Sequence, residues 1–341
     1  MTRPGLQTQD SALLTLARTA LAEYEVPSVG SLRPIRLTNN AVFEVSTDVG
    51  ERFVLRLHRP CFRTVEHTRS ELRFVQALHE RLRSTRTSVP WPVAARDGDL
   101  VVEVPNAPGA DAARHCSLLT WVDGRVLRPG RGLGPRAVHE IGRALGRLHT
   151  VAEQFEPPPA FDLPRWDADA MFTEVSPFRP GRLDEVMSSE DWRLFQDVAE
   201  QTRAAFDALE REGAARGIVH FDFILGNCRL VRRARGWEVG VIDFDDLGWG
   251  YFLYDLCPLL GNLADFPGYA TLRAAFLAGY RSVRSLPSAL EVHLPLLMAA
   301  RHAVACAWVA GVARTTGTGP PVAEHIAIRM AQIRHCLALR S

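Results

Sequence analysis

The chain has 341 residues, 47% of them hydrophobic, enough to pack one large or two moderate domains and too apolar for a disordered tail. Its 40 Lys plus Arg against 39 Asp plus Glu leave a formal charge of +1, so nothing global calls for nucleic acid or an acidic membrane surface as a partner. Six dispersed cysteines (Cys61, Cys116, Cys228, Cys257, Cys306 and Cys336) without a C-x-x-C pair read as free thiols, and Met1 to Asp10 lack an apolar core of signal-peptide length, so a cytoplasmic location is expected.

In chain order, the pattern predicts a helix around Ser11 to Tyr24, then strands over Leu32–Leu37, Ala41–Ser46 and Arg52–Leu57. Asn39, Asn40, Asp48 and Gly50 supply turn chemistry between those strands, and Val42, Val45, Phe53 and Leu55 supply apolar contacts across an antiparallel meander. A helix follows from Val65 to Arg83, with Leu72, Val75, Leu78 and Leu82 on one face. Short strands are expected at Trp91–Ala95 and Leu100–Val104 around the Asp97-Gly98 turn, and an apolar run spans Ser117–Val122. Beyond it the chain turns helical, near Pro135–Val151, Asp191–Glu212, Tyr269–Val283 and Leu286–Val312, punctuated by residues such as Pro108, Gly109, Pro129, Gly130 and Pro157 to Pro159. The most membrane-like stretch, Leu290 to Ala313, is interrupted by His293, Arg301 and His302 and reads as a buried bundle helix. The order is that of an α+β protein: a helical extension over 1–31, a small-sheet domain over 32–119, and a mainly helical domain over 120–341, with Gly124 easing the exit from a hinge. The seven tryptophans do not interleave with a basic motif, so no stacking platform for nucleic acid is evident.

The strongest local signal is H-F-D-F-I-L-G-N, His220 to Asn227, followed by V-G-V-I-D-F-D-D-L-G, Val239 to Gly248. Two strand-like segments joined at Gly236 form a hairpin that can return Asp243 toward the Asp222 loop. Phosphoryl transfer needs an aligned acceptor oxygen and positive charge on the terminal phosphate; one carboxylate can take the acceptor proton while a second carboxylate and an amide oxygen hold magnesium. Asp222 as base, with Asn227 and Asp243 as metal ligands, offers that inventory; the bland reading makes Asp243, Asp245 and Asp246 an exposed acidic turn. His220 reads as loop support, with direct catalysis as the minor alternative, Phe221 and Phe223 as packing, and Gly226 as a turn residue beside Asn227.

These motifs resemble the aminoglycoside phosphotransferase and homoserine kinase type II superfamily, and the D-F-D-D form is similar to its bacterial stress-response-kinase-like branch. The resemblance runs from about Leu32 to Ala310 and implies a protein-kinase-like two-lobed fold that uses ATP and Mg2+. It maps the family's catalytic aspartate onto Asp222, its metal-binding residues onto Asn227 and Asp243, and a loop-supporting aspartate onto Asp255 of Tyr254-Asp255-Leu256. F-V-L-R-L implies that Arg56 presents charge to ATP phosphates where many relatives use lysine, and Glu71 of R-S-E-L-R-F that it orients Arg56; two ordinary surface ions are the alternative. L-L-T-W-V-D-G resembles the interlobe connector, with backbone near Thr120 and Val122 meeting adenine, and A-L-G-R-L-H, Ala144 to His149, a large-lobe helix.

The expected activity is ATP-dependent phosphorylation of a small-molecule hydroxyl on an amino alcohol, sugar alcohol or aminoglycoside, with no nucleic-acid or membrane partner evident. Asp167 and Asp169 can recognise a cationic acceptor and Arg165 an anionic one, although all three also suit a solvated loop. The rivals are a bacterial Ser/Thr protein kinase, disfavoured by departures from H-R-D-L-x-x-x-N and the lack of D-F-G, and a nucleotide-binding module with weak chemistry.

Overall fold

The computed structural model describes residues 4–37, 40–60, 62–105, 114–317 and 321–339; Asn39, Cys61, Ala107, Pro108 and Gly109 lie outside the described residues. The chain divides into two compact units, 1–79 with 90–121 and 157–162, and 80–89 with 122–156 and 163–341.

The first unit is an antiparallel sheet backed by helix α1, Pro4–Leu21. Val29–Arg36, Ala41–Thr47, Arg52–Leu57 and Arg114–Thr120 pair in that order, and the last also takes Pro92–Val93 and Val102–Val104. Alternation along Ala41–Thr47 buries Ala41, Phe43, Val45 and Thr47. Val42, also expected to supply apolar contacts, lies half-buried on the opposite face, as a period of two requires. Leu16, Ala17, Ala20 and Tyr24 pack on that sheet with Leu55, Leu57 and Leu118. Helix α2, Val65–Leu82, buries the anticipated stripe of Leu72, Val75, Leu78 and Leu82. The strand expected over Trp91–Ala95 shrinks to Pro92–Val93, and Ala95 instead bridges to Tyr24.

Among the described residues the second unit is a helical body carrying two two-stranded ribbons and one three-stranded sheet. Helix α3, Pro135–Glu153, opens on Pro135, and short α4 is Ala168–Phe172. Helix α5, Ser189–Arg211, is capped by Ser188, whose hydroxyl accepts from the Asp191 amide at 3.1 Å. Helices α6 (Phe252–Asp255), α7 (Cys257–Ala264), α8 (Tyr269–Arg281), α9 (Leu294–Thr316) and α10 (Val322–Ala338) complete it. The helix expected to start at Leu286 begins as a 3-10 turn over Ser288–His293 and becomes α-helical at Leu294, ahead of Pro295; α10 was not anticipated. The segment Ser288–Thr315 is long and apolar enough to cross a membrane, but 83% of its apolar window is buried inside the protein, as a core helix requires. Cys116, Cys228, Cys257, Cys306 and Cys336 are buried free thiols.

Helices α3 and α8 cross at glycines. A Cβ on Gly279 would overlap the carbonyl oxygen of His139, and one on Gly142 would overlap that of Phe276. Gly279→Ala is expected to destabilise by about 1–3 kcal/mol, since forcing two backbones apart outweighs the roughly 1 kcal/mol gain in helix propensity. Urea unfolding measures it; a variant as stable as the wild type would contradict the close crossing.

Candidate active site

Both acidic motifs lie in the second unit, at the ends of its ribbons. Arg216–Val219, paired with Gly248–Tyr251, delivers His220 to the loop, which then closes in a 3-10 turn over Leu225–Asn227. Cys228–Arg233 and Gly236–Val241 form the expected hairpin, with Cys228 facing Val241. The Ile242 amide donates to the Asn227 carbonyl at 3.0 Å, so the returning strand sets Asp243 beside the loop that holds Asp222. Two non-glycine residues here are left-handed, Phe221 at φ 67° and Asp243 at φ 68°. Gly226, read as the turn residue, is not; the sharp turns fall on side chains held from elsewhere, an arrangement that costs about 1–3 kcal/mol per residue and clusters at functional sites.

Asp255 is the clamp. Fully buried, its carboxylate accepts from the His220 and Phe221 amides, each at 2.7 Å, and contacts His149 Nε2 at 3.0 Å. Tyr280 OH lies 2.9 Å from His149 Nδ1, which fixes the Nε2–H tautomer directed at Asp255. Burial lowers the His149 pKa despite the neighbouring carboxylate, leaving a neutral imidazole. His220 is buried, and its Nε2 bonds the Ile242 carbonyl at 3.1 Å, tying the loop to the strand that precedes Asp243. Beneath the loop Phe221 stacks on Trp166 at 3.8 Å between ring centres and on Tyr254 at 5.2 Å.

Asp222 is held on both oxygens. Asn227 Nδ2 donates to its Oδ2 at 3.1 Å and to its backbone carbonyl at 2.9 Å, which leaves Asn227 Oδ1 without a hydrogen bond among the described residues. Arg301 Nη2 of α9 donates to Asp222 Oδ1. Burial opposes the Arg301 charge, yet the Asp222 carboxylate and Tyr254 raise its pKa. Asp245 is buried and Asp243 and Asp246 are partly so, which removes the exposed acidic turn as an account of this segment.

Among the described residues no group of three or more His, Cys, Asp or Glu could hold a metal ion. The donor set of Asn227 Oδ1 and a carboxylate of Asp243 is nonetheless of the hard-oxygen kind that fits magnesium, which keeps water and phosphate oxygens as further ligands.

In the first unit Arg56 and Glu71 are not surface ions: both are buried and joined by an ion pair from Nη2 to Oε1. Thr120 is engaged with Trp91 through its amide at 2.9 Å and its hydroxyl at 2.8 Å. Val122, in the second unit, packs against Gly240, and Gly124 (φ 124°) leaves no room for a side chain beside the Arg229 backbone. Asp167 caps α4 through the Ala170 amide, and Asp169 pairs with Arg203; both line a cavity of about 650 Å³ with Arg165 and Trp249 that Asp222, Asn227 and Asp243 do not line.

Arg301 and His149 were missed as site residues. Each left a trace: Arg301 is a charge inside an otherwise apolar helix, and His149 ends the A-L-G-R-L-H motif.

Residues 31–292 match the model of the family described as "Phosphotransferase enzyme family". The chain is 31% identical over 310 residues to an uncharacterized protein of Deinococcus radiodurans, covering 89% of this chain and 85% of that one. It is 29% identical over 274 residues to a homoserine kinase of Mesorhizobium japonicum, covering 76% and 73%. The solved structure of a microcompartment-associated aminopropanol kinase aligns with a TM-score of 0.75 at 28% identity, covering 96% of each chain. The two-lobed, kinase-like α+β fold is shared with these structures. With the family model matched across most of its length, the chain belongs to the phosphotransferase enzyme family and is a kinase-type enzyme that transfers phosphate from ATP to the hydroxyl of a small molecule.

Proposed function

We propose that the acceptor is a short amino alcohol and that Asp222 orients its hydroxyl and takes its proton as the oxygen attacks the terminal phosphate of ATP. The observation that carries this reading is the Asp222 carboxylate, bonded to Asn227 and Arg301 within a loop clamped by Asp255. Asn227 Oδ1 and Asp243 would hold Mg2+, which supplies charge neutralisation on the phosphates when bound. Arg56, oriented by Glu71, would add positive charge to the nucleotide phosphates, with its planar fork in place of lysine's point charge. Backbone near Thr120 and Val122 would meet the adenine edge; His220 and Asp255 hold the loop. Nucleotide binding is assigned to 32–119 and catalysis with acceptor binding to 120–341. The acceptor class is supported by relatives whose names include homoserine kinase and aminopropanol kinase, both acting on amino alcohols by those names.

The test is a panel of amino alcohols, sugar alcohols and aminoglycosides incubated with ATP, with and without magnesium, for the wild type and Asn227→Ala. Magnesium-dependent phosphorylation of amino alcohols, falling by at least about 100-fold in Asn227→Ala, is expected for a lost ligand to transition-state charge. Equal transfer with and without magnesium, or preference for an aminoglycoside, would contradict the reading.

A further inference from the structure

The 3-10 turn that carries Asn227 lacks a cap of its own. Its N-cap position is Ile224, whose side chain makes no cap hydrogen bond, so the Leu225 amide has no acceptor of the usual Ser, Thr, Asp or Asn kind beside it. That amide donates instead to Asn262 Oδ1 of α7 at 3.0 Å, a partner 37 residues away in sequence. Gly226, the next residue, brings no side chain to brace the turn, and a Cβ there would meet only Ile224, at 3.5 Å and beyond. Within the loop the Asn227 amide donates to the Ile224 carbonyl at 3.0 Å, and Asn227 Nδ2 donates to Asp222. A shift of Leu225 therefore moves the Asn227 side chain and the direction of its Oδ1.

Asn262 is half-buried on the helix that directly follows α6. Asp255 of α6 takes the His220 and Phe221 amides at the start of the loop, and Asn262 takes the Leu225 amide near its end. Helix α7 is in turn packed closely on α9: a Cβ on Gly261 would come within 3.1 Å of His302 Nε2, and His302 is the neighbour of Arg301, the donor to Asp222. Helices α6, α7 and α9 thus each hold one stretch of the loop, and Asn262 holds the stretch that ends in Asn227.

We propose that Asn262 is a positioning residue for the metal end of the site: by holding the Leu225 amide, its Oδ1 fixes the turn that presents Asn227 Oδ1 to magnesium. The inference rests on the reading of Asn227 as a metal ligand. Groups that orient a metal ligand typically set about 10- to 100-fold of metal affinity or activity.

The test compares the full-length wild type with Asn262→Leu, which keeps the shape but removes the acceptor, with Asn262→Asp, which keeps the acceptor, and with Asn227→Ala. Two quantities are read: the magnesium concentration at half-maximal rate under saturating ATP and amino alcohol, and the calorimetric affinity for the non-hydrolysable analogue AMP-PNP with and without magnesium. Asn262→Leu is expected to raise the magnesium requirement about 10-fold and to shrink the magnesium-dependent gain in AMP-PNP affinity by a similar factor, with the acceptor KM unchanged. Asn262→Asp should stay within about threefold of wild type in both, since the Leu225 amide keeps its partner. Asn262→Gln, whose oxygen sits one methylene further out, reports the same loss if Asn262→Leu does not fold. A lower kcat at an unchanged magnesium requirement would leave Asn262 a role in folding alone, and a raised acceptor KM at an unchanged requirement would assign it to Asp222; either result overturns the proposal. A raised requirement in Asn227→Ala but not in Asn262→Leu overturns only the role of Asn262. An unchanged requirement in Asn227→Ala removes Asn227 as a ligand, and both readings fall.

Discussion

Asp222→Asn is expected to lower kcat by about 10²- to 10⁴-fold, the contribution of a positioned general base. Asparagine keeps the size of the side chain and one oxygen, so Asn227 or Arg301 retains an acceptor, but the group no longer takes a proton. The protein should stay folded. Asp222 and Arg301 are partly exposed, at 22% and 19% of their side chains, so loss of the pair costs about 1–2 kcal/mol, short of the value for a fully buried pair. Steady-state kinetics beside urea unfolding separates the two effects: a kcat within threefold of wild type removes Asp222 from the chemistry.

The second large effect is on stability. Asp255→Ala is expected to lower the unfolding free energy by about 3–5 kcal/mol, because it strips the acceptor from the buried His220 and Phe221 amides and from His149 at once. Those two amide bonds also hold Phe221 in its left-handed conformation, so their loss frees the backbone immediately before Asp222. Activity should therefore fall even in the fraction that remains folded. Urea unfolding with parallel kinetics checks this, and a variant with wild-type stability would show that the loop holds its shape without the clamp.

Much of this was legible in the sequence because the informative signals are local. The H-F-D-F-I-L-G-N loop and the hairpin through Gly236 are short-range, and a strand length that returns Asp243 toward Asn227 follows from pairing Cys228 with Val241. The stripe on α2 is likewise a matter of spacing alone. What the sequence concealed is long-range. Arg301 lies 79 residues from Asp222 and His149 lies 106 from Asp255, and no periodicity predicts such pairings. The left-handed turns fall on Phe221 and Asp243 and not on Gly226, because the cost of that conformation is met by contacts from Asp255 and the neighbouring strand. Pro295 delayed one helix through its missing amide donor.

The most direct measurement is the mass of the acceptor after incubation with magnesium-ATP and the wild-type protein, with Asp222→Asn as the paired control. Addition of one phosphate to the hydroxyl of a small molecule, matched by ADP release and lost in the control, is the predicted result. ADP release without a phosphorylated acceptor, or equal phosphorylation by the substituted protein, would contradict it.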